Sequence, residues 1–130
     1  MALQQHTYSD LDLRFMSQPG TKDVSFSYDD QAVIRSVRNL LLTQPMERLF
    51  QPTLGSIVDN LLFENINPLN ASLLEDEIKR VIGNWEPRAI IDTISISAQP
   101  DQHSYNVTLF FYIGNNTTPT GISIVLARSR

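Results

Sequence analysis

Cysteine is absent from this chain, which excludes disulfide staples and thiolate-ligated metal sites and fits synthesis in a reducing compartment. No apolar run approaches the ~20 residues needed to span a bilayer. The first residues, Met1 to His6, lack the basic and apolar regions of a secretory signal. Triplets such as Asn106-Val107-Thr108 therefore carry no glycosylation meaning. Only two histidines occur, His6 and His103, each in a polar stretch without a second ligand at metal-binding spacing. The five glycines are isolated from one another, so no phosphate-cradling loop is present, and no serine sits in a nucleophile elbow. Basic residues are outnumbered 10 to 14, giving a net charge of −4, and they are scattered. Neutralising a phosphate backbone requires a basic stripe, and none is legible. These absences lead to the expectation of a soluble protein made in the cytoplasm, with no cofactor, no metal, no nucleic acid and no membrane partner.

What is present is an ordinary share of apolar residues, 42%, in 130 residues. That length makes one domain, able to bury roughly two-thirds of its unfolded surface. Residues 1–28 are polar, broken by Pro19-Gly20, and read as an extended arm that is either disordered or ordered against a partner. The alternation of Val24, Phe26 and Tyr28 leaves room for one short strand. Residues 29–130 form the domain proper. Asp29 and Asp30 offer N-cap chemistry to a helix whose face is Val33, Ile34, Val37, Leu40 and Leu41, stopped near Pro45. A connector follows, in which Phe50 and Leu54 need apolar cover. Ser56 is placed to cap a short second helix through Phe63, with Ile57, Leu61 and Leu62 inward. After the break at Asn67-Pro68, Asn70 is placed to cap a third helix, with Glu75, Asp76 and Glu77 near its positive end. Its stripe is Leu74, Ile78, Val81, Ile82 and Trp85, and Pro87 stops it at Glu86.

From Arg88 onward the period falls to two. Ile90, Ile94, Ile96 and Ala98 share one face of a first strand. Tyr105, Val107, Leu109, Phe111 and Ile113 share a face of the second, and Ile122, Ile124 and Leu126 a face of the third. Three strands on short connections pair most simply as an antiparallel meander. Three helices followed by such a meander define an α+β fold.

Two places invite a functional reading. Trp85-Glu86-Pro87-Arg88 fixes an acid and a base around a stiff proline at a helix exit. Such a pair either clasps the helix end or offers an oriented, bidentate handle to a partner. The last strand, Ile122, Ser123, Ile124, Val125, Leu126, Ala127 and Arg128, has nothing after it to cover its outer edge. It is either a margin blocked by terminal charge or a template for another chain's strand. A glycosidase would need two carboxylates across a cleft. Glu64, Glu75, Glu77, Glu86 and Asp92 are available, but Glu75 and Glu77 diverge on one helix, and Glu64 and Glu86 meet only if the fold brings them together.

Four motifs then stand in register: Lys22-Asp23-Val24; Glu47-Arg48-Leu49-Phe50-Gln51-Pro52-Thr53-Leu54-Gly55; Leu61-Leu62-Phe63-Glu64; and Trp85-Glu86-Pro87-Arg88. Over residues 22–126 the chain resembles the baseplate wedge and sheath-initiator family of contractile-tailed phages, to which a small type VI secretion baseplate subunit is related. Two positions depart from that pattern: Pro45-Met46 stands where the family often has glycine, and Trp85 where tyrosine is common. The resemblance implies a non-enzymatic adaptor in the virion tail baseplate, assembled in the host cytoplasm. It implies that Glu86, Pro87 and Arg88, with Trp85, dock on the larger wedge proteins around the tail tube or hub. It also implies that the sheet accepts strands from the first ring of the tail sheath protein along residues 120–130 and 105–113. Glu47, Arg48, Phe50, Pro52, Gly55, Phe63 and Glu64 are the remaining motif positions. A tail-associated cell-wall hydrolase is the competing class, and the equivalent adaptor of a type VI secretion baseplate a variant of the first.

Overall fold

A computed structural model describes residues 5–128. Its elements are β1 (Ser9–Leu11), β2 (Phe26–Tyr28), α1 (Asp29–Leu42), α2 (Val58–Leu62), α3 (Pro68–Trp85), β3 (Ala89–Gln99), β4 (Ser104–Ile113) and β5 (Thr120–Ala127). The fold is α+β. Strands β3, β4 and β5 form an antiparallel meander in that spatial order, while β1 and β2 pair antiparallel in a small separate sheet.

One side chain in two on each long strand faces the helices. Tyr105, Val107, Leu109, Phe111 and Ile113 are buried on β4, as are Ile122, Ile124 and Leu126 on β5. They meet Val33, Val37 and Leu41 of α1 and Leu74, Ile78 and Ile82 of α3 in one core. This is the arrangement that the two hydrophobic periods require. On β3 the expected phase is interrupted. An extra residue at Asp92 makes a bulge between Ile91 and Thr93, so Ile91, Ile94 and Ile96 pack on the core while Ile90 points outward. A bulge reverses which parity faces inward, and Ala98 lies exposed beyond the core's edge.

Helix starts also differ from expectation. Asn67, not Asn70, caps α3: its side chain accepts from the Asn70 N–H, and Pro68 occupies the first turn. The break at Asn67-Pro68 is thus a helix start, because proline at the first position lacks only an N–H that would be orphaned anyway. Glu75, Asp76 and Glu77 consequently sit mid-helix, where Glu75 binds Lys79 and Glu77 binds Arg80. Ser56 does not cap α2; its buried hydroxyl donates to the Leu41 carbonyl. Val58 takes the inward place expected of Ile57, which is exposed. Asp29 caps no helix and instead binds the N-terminal arm, accepting from the Thr7 and Tyr8 N–H groups and from His6.

Candidate docking corner and sheet edge

Helix α3 ends at Trp85, and Glu86 leaves helical geometry with its N–H still donating to the Ile82 carbonyl. The Arg88 carbonyl then accepts from the Gly114 N–H, which pins the chain as it enters β3. Between these ties the Glu86 and Arg88 side chains turn inward. Glu86 is 3% exposed. Arg88 donates to it from Nε at 2.6 Å and from Nη2 at 2.9 Å, a two-point grip. The Ser36 hydroxyl of α1 donates to the same carboxylate. From its other side the Arg88 fork reaches Asp10 of β1 at 3.0 and 3.3 Å, with Tyr8 beneath it at 5.5 Å from the ring centre. One guanidinium therefore serves two carboxylates and ties the arm to the helix exit.

Burial alone would raise the Glu86 pKa, but the Arg88 fork and the Ser36 hydroxyl together outweigh it and hold the group below its ordinary 4.5. Glu86, then Asp10, raise the Arg88 pKa above its usual range. A general acid at neutral pH needs a shift in the opposite direction. The other acids weighed as catalytic are similarly occupied or stand apart. Glu77 is held low chiefly by Arg80, against burial and with help from the Ile57 N–H. Glu75 is paired with Lys79. Glu64 and Asp92 are exposed, and no hydrogen bond joins Glu64 to Glu86. Among the described residues no three His, Asp or Glu side chains gather as a metal cage.

Pro87 is exposed and Trp85 half-buried at this corner. The structure thus forms the clasp, with the charged pair inside and the proline outside.

The sheet's outer margin is β5. Its residues pair with β4 from Thr120 to Ala127, and among the described residues no strand lies beyond it. Ser123, Val125 and Ala127 face away from the core. Arg128 lies over the Phe63 ring at 5.1 Å, fastening the strand's end to the exit of α2. Strand β4 is paired on both sides, so residues 105–113 have no free edge for an incoming strand. The opposite margin, β3, is also unpaired on its outer side among the described residues.

The motif over residues 47–55 folds as a loop of tight turns. The Glu47 carboxylate accepts from the Gln44 N–H, and the Pro52 carbonyl accepts from the Met46 N–H. Gly55 is buried at φ +126°, where a Cβ would come within 2.6 Å of the Thr43 carbonyl. No other residue fits there. Leu54 is half covered, but Phe50 is 98% exposed and finds no apolar cover, contrary to expectation. Arg48 and Glu64 are exposed as well. The motif positions therefore do not converge; they lie at the loop, at the exit of α2 and at the corner. Asp10, Ser36 and Tyr8 escaped sequence reasoning because 78 and 50 residues separate Asp10 and Ser36 from their partners.

These features define a compact α+β module with an ion-paired corner and an open sheet. Residues 27–115 match the family described as Baseplate wedge protein gp25. The chain is 32% identical to the baseplate wedge protein gp25 of Enterobacteria phage T4, over 99% of this chain and 98% of that protein. It belongs to that family. Solved structures share the fold. A Geobacter sulfurreducens protein provisionally described as a tail lysozyme matches with a TM-score of 0.73 at 20% identity, covering 82% of this chain and 97% of that one. A chain of the anti-feeding prophage baseplate matches with a TM-score of 0.66 at 21% identity, covering 95% and 87%. A chain of the type VI secretion baseplate complex gives 0.64 at 15%, covering 76% and 93%. At such identities the likeness speaks for the fold alone.

Proposed function

We propose that this protein is a structural subunit of a phage tail baseplate that joins larger wedge proteins to the first ring of sheath. The observation that carries the reading is its similarity, over nearly its full length, to the T4 baseplate wedge protein. The corner of Trp85, Glu86, Pro87 and Arg88 docks on the wedge proteins near the tube or hub. Ion pairing inside the corner fixes its shape, and Pro87 and Trp85 offer surface. The outer edge of β5, from Ile122 to Arg128, accepts a sheath strand through main-chain hydrogen bonds. No chemical step is involved. The site is the virion baseplate, reached by assembly in the host cytoplasm, and the working unit is residues 29–130 with the described part of the arm, residues 5–28, laid against it.

Hydrogen exchange tests the edge. In the free protein the outward amides of β5 exchange readily; in particles bearing sheath they slow by about a hundredfold, as opening of the added strand becomes a requirement. Unchanged exchange in sheathed particles would remove the strand-addition role. The competing reading is a hydrolase, against which stands the ion pairing of Glu75, Glu77 and Glu86. Purified protein on peptidoglycan separates the two: cleavage abolished by Glu64→Gln or Glu86→Gln would favour the enzyme.

A further inference from the structure

A long groove runs between the N-terminal arm and α1, bounded at one end by the 44–54 loop. Scattered in sequence, Arg14, Arg35, Arg38 and Arg48 all line it. The acids in its wall are Asp10 and Asp12. Asp10 is taken by Arg88, and buried Asp12 is taken by Arg14 and Arg35. Arg38 and Arg48, both exposed, have no carboxylate partner among the described residues. In a chain of net charge −4, this groove is a local surplus of positive charge.

Its apolar lining is equally unpartnered. Leu11 and Leu13 are each 55% exposed along one wall. Beyond Arg48 the loop carries Leu49 at 92% and Phe50 at 98% exposure. Yet the loop is built, held by the Gln44–Glu47, Met46–Pro52 and Gln44–Asp59 hydrogen bonds. Holding two large apolar side chains in water on an ordered loop has no folding benefit, and such patches mark interaction surfaces. Aromatic residues and arginine at the edge of an apolar site are also the composition of binding hot spots.

We infer that the groove and the loop together form one docking surface for an acidic, apolar peptide segment of a neighbouring protein. Carboxylates of that segment pair with Arg38 and Arg48, and its apolar side chains cover Leu11, Leu13, Leu49 and Phe50. The groove encloses about 950 Å³, at the upper end of the range for small-molecule pockets (about 300–1,000 Å³). It is open along its length, which suits an extended or helical segment. Charge chooses the occupant: the surplus of arginine calls for carboxylates, and an isologous contact with a second copy would set arginine against arginine. The surface is continuous with the docking corner, because Asp10 and Ser36 line the groove and also hold Arg88 and Glu86. The inference rests on the adaptor reading only in taking the neighbour to be a baseplate protein.

A photo-crosslinking residue placed at Leu13, and separately at Phe50, in assembled particles tests it. Both positions are expected to capture one acidic, apolar segment of the same neighbouring protein. Arg38→Glu with Arg48→Glu should lower incorporation into particles by about tenfold, the scale of losing hot-spot contacts, while Arg38→Lys with Arg48→Lys retains most of it. No crosslink at either position, capture of a basic segment, of nucleic acid or of a second copy of this chain, or normal incorporation of the Glu variant would overturn the inference. The adaptor reading fails separately, if the unaltered chain is absent from purified particles.

Discussion

Arg88 lies between two acids, one its near neighbour in sequence and one on the distant arm, and this decides how the corner responds to pH. Glu86 and Glu77 both have pKa values held below their ordinary 4.5. Asp12 is held low chiefly by the Arg14 side chain, then by the Arg14 N–H and by Arg35. A carboxylate with a depressed folded-state pKa binds fewer protons when folded than when unfolded. Its contribution is therefore complete above the ordinary value and is lost as pH falls through the folded one. Urea midpoints should be nearly level from pH 7 to about 5 and drop steeply below 4.5. Glu86→Gln should flatten part of that drop while lowering the midpoint at pH 7. An unchanged acid limb in Glu86→Gln would show that the buried pair is not the group being titrated. The sequence made this acid–proline–base corner legible because Pro87 marks the helix exit whatever lies around it. It did not show Ser36 or Asp10, since contacts between distant segments leave no periodic trace.

Among the elements, α3 and the long strands were readable because their burial follows simple periods of 3.6 and 2. Their starts and phases were less so. A proline after asparagine reads equally as a break or as a cap followed by a first turn, and only the side-chain bond from Asn67 to the Asn70 N–H decides between them. Asn67→Ala should cost about 1 kcal/mol, within the usual 0.5–2 for losing a cap, seen as a lower urea midpoint with unchanged slope. A loss below a few tenths would mean the cap is dispensable. The bulge at Asp92 was invisible for another reason: isoleucines stand at positions 90, 91, 94 and 96, so either phase buries apolar residues. Residues 45–55 form the irregular connector expected of them, but one of its side chains departs from expectation. Sequence logic assigned Phe50 to an interior, but the fold gives it none.

At the scale of the molecule, the arm is part of the packed body. Tyr8 packs against the core, its hydroxyl sits over Gly114, and Asp29 holds the preceding backbone. Removing residues 1–12 should leave the helix and sheet signals intact and lower the melting temperature by about 4 °C for each kcal/mol lost, where the scalings for smaller and larger domains meet. An unchanged melting temperature would mean that the arm adds nothing to the fold. No helix among the described residues is long and apolar enough to cross a membrane, and the core is a single cluster between the helices and the inner side of the sheet. The unmatched outer side of β3 carries one more consequence. With β5 bare at the far end among the described residues, the ribbon has two open margins, each a row of main-chain donors and acceptors of the kind a foreign strand pairs with. On the strand-addition reading such a molecule would join its neighbours into a continuous weave, and its bare margins would need to be kept from knitting with copies of itself.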